Sequence, residues 1–190
     1  MKTQIGLLLP VLFLSLYAYG QDEISWITHA DSGYSIEYPA NWILSTPENE
    51  PTLFKLTVPE ATAEELEKLN AESTDDVTIT SKKDGSNVKL TVEDAKGMDL
   101  ATFVDNKKKE ITAGPVKDLV WKSEQVEVPG GMAYQKVTLT FSIFGQNLYS
   151  CTQFRMVKKS VYILALSSGP DSGKSIIETG EKILESFKLE

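Results

Sequence analysis

Four runs near the end of the chain, Leu119 to Val128, Met132 to Phe144, Leu148 to Val157 and Val161 to Ser167, are rich in strand-forming residues. Only Pro129-Gly-Gly131, Gly145-Gln-Asn147 and Lys158-Lys-Ser160 separate them. Connections this short join antiparallel neighbours, because a parallel crossover takes a dozen or more residues. This half of the chain is therefore committed to an antiparallel meander. In its second run Val137, Leu139, Phe141 and Ile143 point one way and Lys136, Thr138, Thr140 and Ser142 the other, which predicts one packed face and one wetter face.

The elements around the meander supply its cover. Asp99 is placed to cap a helix whose apolar positions Leu100, Phe103, Val104 and Ile111 follow a helical period, and Gly114-Pro115 stops it. A second helix carries the stripe Ile176, Ile177, Gly180, Ile183, Leu184 and Phe187, with Glu178, Glu181, Lys182 and Glu185 opposite. Upstream, Trp26 to Thr28 and Tyr34 to Tyr38 read as a hairpin around the spacer His29 to Gly33, and Pro39 ends it. Val77 to Ser81 and Val88 to Val92 read as another hairpin, and Leu53 to Val58 as a further strand. Thr62-Ala-Glu-Glu65 is a capping box that predicts a short surface helix to about Asn70. The fold class that follows is α+β, an antiparallel sheet flanked by helices.

The first twenty residues read differently. Lys2 precedes an apolar run from Ile5 to Tyr17, and Ala18-Tyr-Gly20 places small residues where a signal peptidase cuts. The run is shorter than the roughly 20 residues that span a bilayer, and Pro10 interrupts it. Residues 1–20 are thus expected to be a cleaved signal peptide and residues 21–190 a single exported, soluble domain without stable membrane insertion, periplasmic or released. With 19 basic residues against 27 acidic, the chain carries a net charge of −8, and losing Lys2 makes the rest one unit more negative. Such a surface repels phosphate backbones, which argues against nucleic acid as a partner. Lys107-Lys-Lys109, the local exception, reads as a solvated helix face.

Gly169-Pro-Asp-Ser-Gly-Lys-Ser175, between the last strand and the last helix, looks at first like a nucleotide-binding loop. A P-loop needs four residues between its first glycine and Gly-Lys-Ser. Here there are three, Ser168 stands where that glycine belongs, and Pro170 has no amide to offer a phosphate. The stretch reads as a helix start, with Asp171 or Ser172 capping and Lys174 in solvent.

Other chemistry is equally sparse. Cys151 is the one cysteine and sits in an alternating strand, so it reads as a small buried hydrophobe with no disulfide partner. His29 is the one histidine, with no visible reason to meet a particular serine. One of each is too few for zinc, and Asp22-Glu23 and Asp75-Asp76 lack the spacing of a calcium loop. No catalytic, metal or cofactor residue is assigned. Trp26, Trp121, Tyr134 and Tyr149 are candidates for a binding surface, although cross-strand packing accounts for aromatic residues on strands as well.

Gly33-Tyr-Ser-Ile-Glu-Tyr-Pro-Ala-Asn-Trp42 resembles the entry signature of PsbP-like domains, the group around the extrinsic photosystem subunit PsbP and many exported bacterial proteins. Ile183-Leu-Glu-Ser-Phe187 is similar to the closing helix of that group. The segment from Thr62 to Asn70 looks like an insertion relative to its shorter members. The resemblance implies an α/β/α sandwich, without enzymatic activity of its own, acting as an assembly factor, chaperone or partner-binding module. It carries over no functional residue. Pro39 and Trp42 match the signature, and both read as architectural, the proline ending a strand and the indole filling the corner beneath it.

Two functions follow as expectations. The first is a non-catalytic module of the cell envelope that binds another envelope protein. The second is a carrier of a small ligand or lipid, or a hydrolase, using a cleft between sheet and helix. The signal reading is checked by N-terminal sequencing of the exported protein: the expected first residue is Gln21, and an intact Met1 would contradict it.

Overall fold

A computed structural model describes residues 25–31, 33–47, 77–143, 145–169 and 171–190. The expected signal peptide, the strand at 53–58, the helix at 62–70 and the acidic pairs Asp22-Glu23 and Asp75-Asp76 lie outside the described residues. The described elements run β1 (Trp26–Asp31), β2 (Tyr34–Pro39), β3 (Trp42–Ser45), β4 (Val77–Ser81), β5 (Asn87–Asp94) and α1 (Leu100–Ala113). Then come β6 (Lys117–Val126), β7 (Tyr134–Ile143), β8 (Gln146–Val157), β9 (Ser160–Ser168), α2 (Lys174–Ser186) and β10 (Lys188–Leu189).

The meander forms as its turns dictate, with β6, β7, β8 and β9 paired in succession and every pairing antiparallel. β5 joins β9, and the order across this seven-stranded sheet is β3-β4-β5-β9-β8-β7-β6. The expectation of one sheet needs correction, because β1-β2-β10 make a second. The cause is non-local. The chain leaving α2 pairs Lys188 with Ser35 and Leu189 with Tyr34, which holds the first hairpin away from the large sheet. Trp42 then opens β3, a strand the sequence reading did not contain, and faces Ser81. The hairpin itself is also tighter than expected. β1 continues through His29, Ala30 and Asp31, and Gly33 reverses the chain at φ 91°, a left-handed conformation that glycine adopts without strain.

Alternation along β9 sorts the core into two layers. Leu164 and Leu166 point to one face, where they pack with Ile36, Ile79, Val88, Leu90, Cys151 and the α2 residues Ile183 and Leu184. Val161 points to the other, with Val137, Leu139, Phe154 and the α1 residues Phe103 and Val104. The large sheet therefore lies between α1 on one side and α2 with the small sheet on the other. Burying each of these aliphatic and aromatic side chains contributes about 1.5–3 kcal/mol, so the two layers carry most of the stability. Trp42 is buried in the first of them, as its place in the signature implied. Gly180 lets α2 settle onto β9, since a Cβ there would run into the methyl groups of Leu166.

The helix ends divide between expectation and correction. Asp99 Oδ1 accepts the Thr102 N–H at 2.7 Å, as read. At α2, neither Asp171 nor Ser172 caps. The cap residue is Gly173, with no side-chain bond. The Ser172 hydroxyl instead donates to Asp84 Oδ2 at 2.6 Å, beside the Ser86 hydroxyl at 2.8 Å, tying the β4–β5 turn to the start of α2. Lys174 stands in solvent with Glu178 at 3.4 Å. The loop that resembled a phosphate cradle thus spends its serine on a structural latch.

Burial pushes the Asp84 carboxyl up, but hydrogen bonds from Ser172, Ser81 and Ser86 outweigh it and hold the group below its usual range. A carboxyl depressed in the folded state adds stability above its unfolded pKa of about 3.9 and loses that stability as pH falls through the folded value. Thermal melts are therefore expected to show the wild type more stable than Asp84→Asn above about pH 5, with the gap closing in stronger acid. A gap that widens as pH falls would contradict the latch.

Candidate functional site

The face of the large sheet that α2 shares extends beyond the helix. α2 lies across β9 and β5 and against β2, while β6, β7 and part of β8 continue past it. Registers Thr140↔Tyr149, Thr138↔Cys151 and Lys136↔Gln153 put Tyr149, Cys151, Gln153 and Arg155 of β8 on this face with Lys136, Thr138 and Thr140 of β7. Val120, Lys122 and Glu124 extend it onto β6. Val120 is 50% exposed, and Lys122, Glu124 and Thr140 are exposed too. This is the wetter face that the β7 alternation predicted.

At one end of it sits Arg155. Its Nη1 donates to the Phe187 carbonyl at 2.9 Å and its Nη2 to Gln153 Oε1 at 2.8 Å. Its guanidinium carbon lies 4.7 Å from the ring centroid of Tyr134 and 5.2 Å from that of Phe187. Phe187 caps the C-terminus of α2, where the helix dipole presents about half a negative charge. The side chain is half-buried, its Nε is buried without a partner among the described residues, and burial pulls the guanidinium below its usual pKa against the opposing influence of Tyr134.

Farther along the same face the Tyr149 hydroxyl donates to Glu181 Oε1 at 3.0 Å. Burial pushes Tyr149 up, with Cys151 and Glu181 adding to the shift. Cys151 is fully buried, and burial raises its thiol above the usual value. It has the place of a hydrophobe, as read. His29 Nε2 lies 3.5 Å from the Tyr34 hydroxyl, and burial, with Asp31 and Tyr162 assisting, pushes Tyr34 up to about 12.

The four aromatic candidates part company. Trp26 is exposed on the outer strand of the small sheet, and Trp121 lies on the opposite face of the large sheet with Lys108 Nζ 5.6 Å from its ring centroid. Tyr134 and Tyr149 share the candidate face. Of the lysine run, Lys107 is held by Glu93 at 2.8 Å and Glu110 at 3.1 Å. These groups border a shallow depression of about 390 Å³ between β5 and α1. Among the described residues no group of three or more His, Cys, Asp or Glu side chains is placed to hold a metal, and no helix is long and apolar enough to cross a membrane. Gln153 and Arg155, absent from the sequence reading, had left one signal: polar residues follow Cys151 at alternate positions on its side of the strand.

No protein-family model matches the chain, and no curated protein matches it. Solved structures do. The chain is similar to cyanobacterial PsbP (CyanoP) from Synechocystis sp. PCC 6803, with a TM-score of 0.58 at 14% identity, over 90% of this chain and 96% of that one. The chain has a PsbP-like fold. It is also similar to LpqN, described as involved in cell envelope biogenesis of Mycobacterium tuberculosis, with a TM-score of 0.55 at 13% identity over 88% of this chain and 92% of that one. At this identity the PsbP-like likeness is one of architecture, and the face around Arg155 stands on its own geometry.

The buried thiol is testable. A maleimide is expected to leave Cys151 of the native protein unlabelled over the minutes in which it labels the unfolded chain completely, because a thiol both buried and raised in pKa offers little thiolate. Equal labelling rates would place it at the surface.

Proposed function

We propose that the protein is an exported, non-catalytic module that docks another protein of the cell envelope on the β6–β7–β8 face. The observation that carries this reading is a face that no described element covers: a strand surface mixing a half-exposed valine, an exposed threonine and charges of both signs, set beside a helix that stops short of it. Interfaces are not set apart by hydrophobicity alone, and aromatic and arginine anchors within a polar surround are their usual make-up. The description of LpqN, of the same fold, as involved in cell envelope biogenesis agrees with an envelope role.

The carrier or hydrolase reading needs a cleft between sheet and helix. That junction is filled by Leu164, Leu166, Ile183, Leu184 and Phe187, all at most 2% exposed, which weighs for docking over enclosure. The net charge of −8 further disfavours nucleotides and nucleic acids as ligands.

The test uses the mature protein as bait in an envelope extract, beside a Val120→Glu, Thr140→Arg double variant. Both positions are exposed, so folding is expected to change by less than about 0.5 kcal/mol each. The wild type is expected to recover the same partner repeatedly and the double variant at least tenfold less of it. Recovery unaffected by the substitutions, or nothing above controls, would overturn the reading.

A further inference from the structure

Arg155 holds more hydrogen-bonding capacity than the protein uses. A guanidinium has about five N–H donors in a fixed plane. Two are engaged, both by neutral acceptors, Phe187 O and Gln153 Oε1, and no ion pair among the described residues includes Arg155. The α2 C-terminus offsets about half a unit of its charge, which leaves a cation compensated only in part. The rings of Tyr134 and Phe187 both lie against the guanidinium, and two hydrogen bonds fix its direction, so the orientation is set before anything binds. Lys136, half-buried opposite Gln153, adds a second cation on this face, with no ion pair of its own among the described residues. The acids nearest in register are Glu124, opposite Lys136 on β6, and Glu181, already engaged by Tyr149.

We infer that Arg155, flanked by Lys136, is the recognition point for a carboxylate side chain of the docked protein. This rests on the docking reading above and names the chemistry its partner presents. A carboxylate fits better than a phosphate on two grounds. The planar fork of a guanidinium pairs with a carboxylate through two parallel bonds. A phosphate brings roughly two negative charges toward a chain of net charge −8 with Glu124 and Glu181 on the same face. In the partly desolvated surroundings of Arg155 a single ion pair is screened less than one on the open surface.

The experiment has two arms. In the first, acetate is titrated at constant ionic strength against chloride while the Arg155 Nε–Hε signal is followed by NMR in the unaltered protein. A saturable shift with acetate and none with chloride is expected. A shift that never saturates, or an equal shift with chloride, overturns the inference. In the second arm, capture of the envelope partner is measured with Lys136→Gln and with Arg155→Gln, each where melting shows that the fold survives. At least a threefold loss is expected for the first and tenfold for the second. Capture undiminished by Lys136→Gln, even with a saturable acetate shift, assigns the site to a free small carboxylate and overturns the partner assignment. If capture falls with Val120→Glu, Thr140→Arg but not with the Lys136 and Arg155 variants, docking on this face stands and the carboxylate inference falls.

Discussion

The guanidinium of Arg155, bonded to the Phe187 carbonyl and lying against the rings of Tyr134 and Phe187, is the point where the layers of this protein are fastened together. Phe187 closes α2 and stacks on Tyr34 of the small sheet, with ring centroids 5.7 Å apart. Arg155 and Gln153 belong to β8, and Tyr134 to β7. One cation therefore links the end of a helix, the small sheet and the middle of the large sheet. A hydrogen bond involving a charged group contributes about 1.5–3 kcal/mol, and a partly desolvated cation over a ring up to about 2 kcal/mol. Against a total stability of roughly 5–15 kcal/mol for a domain, that is a considerable share for a single side chain.

The rest of the architecture follows from where this fastening places α2. The helix is drawn over β9 and β5, its stripe fills the space above Leu164 and Leu166, and Gly180 permits the close approach. Because α2 sits there, it does not sit over β6 and β7. The same placement that completes the core leaves the far strands uncovered by any described element, and the alternation of Lys136, Thr138 and Thr140 equips them for water. Stability and a strand face that α2 leaves open are two consequences of one helix position.

Much of this was legible in the sequence wherever contacts are local. Tight turns fixed the meander, the Asp99 cap and Gly114 bounded α1, the period of Ile176 to Phe187 marked α2, and the alternation in β7 named its two faces. What stayed hidden was set by partners far away in the chain. β10 is a two-residue strand defined only by its pairing with β2. β3 needs β4 across a long connection, and Ser172 looked like a helix cap because Asp84 lies 88 residues away. Gln153 and Arg155 showed only as polar residues on the Cys151 side of a strand, and nothing local tells a half-buried cation bonded to a helix end from a surface one. Of the aromatic candidates, Tyr134 and Tyr149 share one face of the large sheet, Tyr134 buried in it, while Trp121 went to the opposite face.

If Arg155 fastens the layers, α2 and the small sheet cannot open without β8. Native-state hydrogen exchange measures this directly, residue by residue, as free energies of opening. The expected result is one shared opening free energy, equal to the global value within about 0.5 kcal/mol, for amides in the last turn of α2, in β2 and in the middle of β8. An opening in which α2 and β2 exchange at a clearly lower free energy than β8 would show that the layers are separate units, and that Arg155 does not hold them together.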